Sequence, residues 1–350
     1  MLPRLNIDLT KYKENLINLT RETKKCNVTT MVVTKVFCGD PYLINIINQT
    51  DIEMIADSKL QNLEKIKTNK PKVYLRIPQK SEALDVVKHS NISLQSEIEV
   101  IEAINDAAGL LYKKHDIILM FDLGDLREGI YYKVDYHPIV ARILSLENIK
   151  LKGIGTNLTC YGGVIPSLET LKKLENIKLD IEKTYAIKLD MISGGNSSAL
   201  PMVFNHELPS FINNLRIGEA FVLGRETAYG KHIESLHDDI FTLDVEIIEL
   251  KDKPSYPEGE LGFDAFGNKV SFTDHGFMKR AILGIGRQEV YCEQLIAPKG
   301  IEILGCSSDH LIVWIKEGSY QIGDVITFKL TYGALLSLMT SPYLKKVYHE

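Results

Sequence analysis

The chain has 350 residues, 45% of them hydrophobic and 25% charged, and 41 Lys+Arg against 46 Asp+Glu leave a net charge of −5. That balance is the one ordinary globular proteins show, and it excludes disorder, collagen-like repeats and coiled-coil arrays. The charges are dispersed, so no basic stripe is available to neutralise a phosphate backbone, and nucleic acid is not an expected partner.

The opening MLPRLNIDLTKYKENL has no continuous apolar segment of the kind a leader needs. No apolar run reaches the roughly 18 residues of a membrane span; the charge-free stretch 330–344 is shorter and is broken by Gly333 and Pro342. A cytoplasmic protein without membrane contact is expected. Cys26, Cys38, Cys160, Cys292 and Cys306 are scattered without a CxxC pair, so neither a disulfide nor structural zinc is expected.

In chain order, PRLNIDL reads as a strand, and short apolar runs follow with helical stretches between them. They are TTMVVTKV from Thr29, EMIAD from Glu53, VYLRI from Val73, ISLQ from Ile92, DIILMFD from Asp116, LKGIGTNL from Leu151, LDMIS from Leu189 and LRIG from Leu215. Over 167–185, Leu168, Leu171, Leu174, Ile177 and Ile181 repeat at intervals of three and four, the stripe of a helix packing on a sheet. Eight such βα units fit a (β/α)8 TIM-type barrel better than an open doubly wound sheet. After about residue 230 the pattern changes to IFTLDVEIIEL, AILGIG, IEILGC, HLIVWI and DVITFKL with Gly and Pro turns, which reads as an all-β domain. The expected organisation is a barrel over 11–230 and a C-terminal β domain over 231–350, joined by the strand at 1–10.

Barrel chemistry gathers at the C-terminal strand ends, and a phosphate site often follows strands seven and eight. The seventh run leads into Ser193-Gly194-Gly195-Asn196-Ser197-Ser198, whose backbone N–H groups suit a phosphate, and the eighth ends in Arg216-Ile217-Gly218. Lys35 ends the first run among β-branched residues, where an ammonium is rarely buried. Desolvation lowers a lysine pKa and makes it a nucleophile for Schiff-base chemistry. A strand-end lysine and a phosphate cradle across one barrel mouth suggest pyridoxal 5'-phosphate.

VVTKVFCG at 32–39, FDLGDLREG at 121–129, SGGNSSAL at 193–200, LRIG at 215–218 and SPYLKKVY at 341–348 resemble, in order, the motifs of fold-type III pyridoxal-phosphate enzymes of the alanine racemase family. Within it, VTKV-CGD and CSSDHLI at 306–312 are most similar to the amino-acid racemases typified by ornithine racemase. The resemblance implies a racemase that interconverts L- and D-amino acids, with ornithine or another basic amino acid favoured and alanine possible as substrate. It also implies a head-to-tail homodimer with shared active sites.

By position the resemblance makes Lys35 the lysine that binds the cofactor covalently and acts as one base. It puts Asn157 beside the cofactor ring, Asn196, Ser197, Gly218 and Tyr343 around the phosphate, and Arg216 facing the pyridine nitrogen. An always-charged guanidinium there keeps that nitrogen unprotonated, so racemisation is favoured over transamination. Arg127 falls at the arginine near the substrate carboxylate, with a salt bridge to Asp125 or Glu128 as the competing role. Ser308 and Asp309 are expected on the substrate side.

The pattern also departs from the family. The carbamylated lysine falls at Met120, the histidine beside the ring falls at Asn157, and the tyrosine that serves as second base falls at Ile285 in Gly284-Ile285-Gly286-Arg287-Gln288. A two-base racemase needs an acid on the face opposite Lys35. Cys306, Ser307, Asp309 and His310 offer one, in a loop whose family counterpart comes from the partner subunit. Two other readings compete. Cys306 before Ser307 and Asp309 is similar to the Cys-Asp segment of decarboxylases of this fold type, although their Glu-Pro-Gly phosphate motif is missing. A non-catalytic pyridoxal-phosphate-binding protein would have the barrel, but those relatives usually lack a β domain.

Overall fold

Runs of β-branched and other apolar residues, buried on both faces, build the wall of a closed parallel barrel. A computed structural model of the protein describes residues 2–350. The strands are β1 (Arg4–Asp8), β2 (Thr29–Val33), β3 (Met54–Asp57), β4 (Lys72–Tyr74), β5 (Ile92–Gln95), β6 (His115–Asp122), β7 (Ile130–Tyr131), β8 (Ile149–Thr156), β9 (Met191–Ser193) and β10 (Asn214–Ile217). They continue with β11 (Phe241–Pro254), β12 (Phe277–Leu283), β13 (Leu295–Ile296), β14 (Ile301–Cys306), β15 (Leu311–Ile315), β16 (Val325–Leu330) and β17 (Lys345–His349).

Parallel pairing runs β5-β4-β3-β2-β10-β9-β8-β6, and β5 on β6 closes the ring. These are the eight runs marked in the sequence, and the expected barrel followed by an all-β domain is the architecture formed. The short β7, paired outside β6, has no counterpart in the sequence reading. Met31, Val33, Ala56, Leu94, Ile118 and Met120 belong to one buried cluster, and complete burial of such a side chain contributes about 1.5–3 kcal/mol. The helix Leu168–Tyr185 begins where Ser167 Oγ accepts from Thr170 N at 3.1 Å, and it buries Leu171, Leu174, Ile177 and Ile181, the stripe read from the sequence.

The chain divides into two compact units, Lys11–Asp238 with the barrel, and residues 2–10 together with Asp239–Glu350. The second unit is a sheet ordered β13-β16-β11-β12-β15-β14, to which β1 adds antiparallel on β11 and β17 adds parallel on β1. Arg4 fastens that edge through Asp244 at 2.8 Å. A nine-residue helix, Tyr332–Thr340, lies in this unit on a stretch for which the sequence suggests no element. One expectation is corrected here. Cys292 and Cys306, Cα atoms 6.5 Å apart, are joined in a disulfide, because the end of β14 returns beside the turn at Cys292–Gln294. Among the described residues no helix is long and apolar enough to cross a membrane.

Candidate active site

β2 stops at Val33, and Lys35 opens a one-turn 3-10 helix, Lys35–Phe37, at the C-terminal mouth of the barrel. The turn is pinned by Thr34, whose N donates to Ala56 O at 2.8 Å and whose hydroxyl donates to the Asp57 carboxylate at 2.6 Å. Lys35 is solvent-accessible in the mouth, yet enough protein surrounds its ammonium that desolvation pushes its pKa below the lysine range. The Arg127 charge adds to that shift, and Cys160, Asp57 and Glu128 oppose it. Burial also raises the carboxyl of Glu219, which Lys35 opposes.

Arg216, the penultimate residue of β10, is buried with 5% exposure. Its Nη1 donates to Ser193 Oγ, and its Nη2 donates to Thr156 O at 2.6 Å and approaches the Asn157 amide at 3.4 Å. Burial pushes its pKa down to about 10, with Glu128 supporting its charge. The cation is therefore intact at neutral pH.

Asn157 stands between two guanidinium groups. One end of its amide is 3.1 Å from Asn196 Nδ2, and the other is 2.6 Å from Arg127 Nη2, which places the oxygen towards Arg127. Arg127 is paired with Glu128, its neighbour in sequence, through both carboxylate oxygens. That bond is the first cause of its raised pKa. Asp125 takes no part in the pair. Its carboxylate, 1% exposed, accepts from the backbone N–H groups of Thr159, Cys160, Tyr161 and Val164 at 2.9–3.1 Å. Burial works to raise Asp125, and those four donors nevertheless hold it below the usual carboxylate range. They also fasten the loop after β8, on which Cys160 receives an N–H from Asn196 at 3.4 Å.

The loop after β9 carries the phosphate candidates. Asn196 accepts from Ser198 N at 2.8 Å, Ser197 Oγ has only a 3.4 Å contact from Ala220 N, and Ser198 Oγ is buried without a partner. Gly195 has φ +132°, and nothing lies within 4 Å of where its Cβ would stand, so a side chain there would be strained and would enter open space. At Gly218 a Cβ would come 3.2 Å from Val33 Cβ. A reactive amine, a small-residue loop with an orphan hydroxyl and a buried guanidinium around one mouth fit pyridoxal 5'-phosphate. Lys35, Arg127, Asn157, Asn196, Ser197, Arg216 and Gly218 all belong to this unit. Glu128, read from the sequence as a competing partner of Arg127, does pair with it, Ser193 of the small-residue loop holds Arg216, and Cys160 joins them without having been given a role from the sequence.

Tyr343, Ser308 and Asp309 lie in the β unit, and Tyr343 is 69% exposed. Ile285 is buried there and supplies no acid. Arg287 N and Gln288 N donate to Ser307 O and Ser308 O at 3.0 Å each, so the segment that lacks the tyrosine lies directly against the 307–310 loop. Asp309 Oδ1 gathers the Ser307 and Ser308 hydroxyls and His310 Nδ1 at 3.0–3.2 Å, contacts that hold it below its ordinary pKa, Ser307 foremost. Cys306, bound in the disulfide, no longer offers a thiol for the second-base role.

Residues 7–226 match the family model described as alanine racemase, N-terminal domain. The chain is 45% identical over 350 residues to an ornithine racemase of Acetoanaerobium sticklandii, covering 99% of both chains. It is 38% identical over 351 residues to a lysine racemase of Thermotoga maritima, covering 99% of this chain and 98% of that one. An alanine racemase of Clostridium difficile 630 shares the fold with a TM-score of 0.77 at 18% identity, over 100% of this chain and 96% of that one. An alanine racemase from Bartonella henselae, with covalently bound pyridoxal phosphate, shares it with a TM-score of 0.74 at 17% identity, over 100% of both.

Proposed function

The chain belongs to the alanine racemase family, and from that premise we propose that it racemises a basic amino acid, ornithine or lysine, using pyridoxal 5'-phosphate held on Lys35. The observation that carries the reading is the full-length identity to an ornithine racemase and a lysine racemase. The same relatives weigh against the decarboxylase and non-catalytic alternatives. When bound, the cofactor would supply an electron sink for the Cα of an amino acid whose amino nitrogen it holds.

The chain's own groups do the rest. Lys35 takes and returns the Cα proton on one face, its lowered pKa favouring the neutral amine that can accept it. Arg216, fixed by Ser193 and Thr156, would offer a charged donor to the ring nitrogen. Asn196, Ser197 and Gly218 would take the phosphate, with Asn157 beside the ring. Arg127 takes the substrate carboxylate as a two-point fork. On the opposite face the acid comes from the 307–310 loop of a second copy in a head-to-tail homodimer, with Ser308 and Asp309 on the substrate side. The contact between that loop and the segment around Ile285 supports this assignment.

A panel of single enantiomers, followed for loss of chirality and for CO2 release, tests the reading. Racemisation of ornithine or lysine is expected, without CO2. Release of CO2, or no change in any amino acid, would overturn it.

A further inference from the structure

Glu128 is a mostly buried carboxylate, with 17% of its side chain exposed, held against the guanidinium that we assign to the substrate carboxylate. Burial works to raise its pKa, but Arg127 and Arg216 outweigh it and keep the group ionised. Its charge also acts on Lys35, which places it at the mouth of the barrel. The neighbouring carboxylates are engaged elsewhere. Asp125 is saturated by four backbone N–H groups, Asp57 takes Thr34, Lys59 N and Asn62, and Glu219 faces Arg225 and Glu226.

Apart from the α-amino group that would join the cofactor, a basic amino acid carries one carboxylate and one side-chain ammonium at a few ångströms' separation, charges complementary to those of the Arg127–Glu128 pair. When a substrate carboxylate takes Arg127, Glu128 loses its hydrogen-bonded partner and keeps only the through-space charge of Arg216, and a largely buried carboxylate without a direct partner is costly. A substrate bearing a side-chain ammonium restores the lost partner, and one with a neutral side chain does not. Selection then comes as much from the penalty imposed on neutral substrates as from attraction of the cationic one.

We propose that Glu128 is the specificity-determining residue, receiving the side-chain ammonium of the substrate by exchange of the Arg127–Glu128 ion pair. This rests on the reading of the chain as a racemase of basic amino acids. The test compares kcat/KM for ornithine with that for norleucine, in which a methyl group replaces the ammonium, in wild type, Glu128→Gln and Glu128→Asp, with lysine as a further wild-type substrate.

The wild type should prefer ornithine, and Glu128→Gln should cut the ornithine-to-norleucine ratio roughly 10- to 100-fold, the worth of a charge-assisted contact, mainly through KM. Glu128→Asp, which keeps the charge and guards against a variant that fails to fold, should keep most of the preference. Because the ratio is taken within one variant, a general loss of folding or of cofactor does not move it. An equal fall for both substrates in Glu128→Gln would make Glu128 only a prop for Arg127 and overturn the proposal. A wild type that racemises ornithine and norleucine alike would overturn it while leaving the racemase reading intact. A wild type inactive on both ornithine and lysine would remove that reading and the proposal with it.

Discussion

The sulfur of Met120 lies against Gly155, 3.1 Å from where that glycine would carry a Cβ, with Ile118 and Ser193 closing the same space at 3.2 Å. A thioether thus fills the position where the family pattern puts a carbamylated lysine, and Asn157 and Glu128 orient Arg127 instead. Met120 has 0% exposure among Met31, Val33 and Met54. Met120→Lys should therefore not restore the family arrangement. It should destabilise the protein by roughly 4–7 kcal/mol, the cost of a buried amine whose pKa falls three to five units. Denaturant unfolding measures this, and a variant as stable as wild type would show that the barrel interior accommodates the charge.

Lys35→Ala should lose both the near-visible absorption of the bound cofactor and all racemisation. A borohydride-reducible linkage surviving in the variant would remove Lys35 from its role. The lowered pKa has a consequence in the cofactor-free protein too. Above the ordinary lysine value of 10.5 the amine is neutral in both folded and unfolded states, whereas below the lowered folded value it is charged in both. The folded state thus bears a growing penalty as pH falls from 10.5 to the lowered value. Lys35→Met should gain stability over wild type at neutral pH and lose that advantage near pH 10.5. A pH-independent difference between the two would contradict the desolvation of the amine.

Arg216 uses separate Nη atoms on Ser193 Oγ and Thr156 O, a fork that a lysine cannot reproduce. Arg216→Lys should cost activity at least tenfold, about 1.4 kcal/mol or more in transition-state stabilisation. Arg216→Glu should favour a protonated pyridine nitrogen and raise transamination, read as accumulating keto acid. If Arg216→Glu racemises as well as wild type and forms no keto acid, Arg216 does not face the ring nitrogen.

The barrel was legible because each of its eight strands carries a short stretch of buried apolar residues, and strand ends mark the mouth, so Lys35, Asn196 and Arg216 could be singled out. Asp125 and Glu128 were legible only as competing partners of Arg127, and Cys160 only as one of five scattered cysteines. They sit in the loops after β6 and β8, far apart in sequence, and meet only because β6 and β8 pair in the closed ring. The motif 121–129 did contain Asp125 and Glu128, but sequence alone cannot tell a carboxylate that binds a loop from one that binds Arg127. The helix Tyr332–Thr340 was hidden because a charge-free stretch carries no polar face to reveal a helical period. The Cys292–Cys306 pair was hidden because a separation of 14 residues says nothing about a strand end folding back on a turn.

The second base is the most exposed part of the mechanism. If the 307–310 loop serves the site of a second copy, each site draws Lys35 from one chain and the loop from another, and activity requires the dimer. Substitutions through the loop, Ser307→Ala, Asp309→Ala and His310→Ala singly and together, should include one that abolishes turnover while cofactor absorption persists. If none does, the loop has no part in the chemistry. That variant is then mixed with Lys35→Ala, itself inactive. In a heterodimer one site combines both lesions and the other has neither, so a dead mixture should recover activity, up to half the wild-type value per heterodimer. Recovery requires only that the two lesions come from different chains, and it holds whichever loop residue carries the proton. If heterodimers form, as shown by differently tagged chains copurifying, and every mixture stays inactive, the loop acts within its own subunit and the shared-site arrangement is wrong.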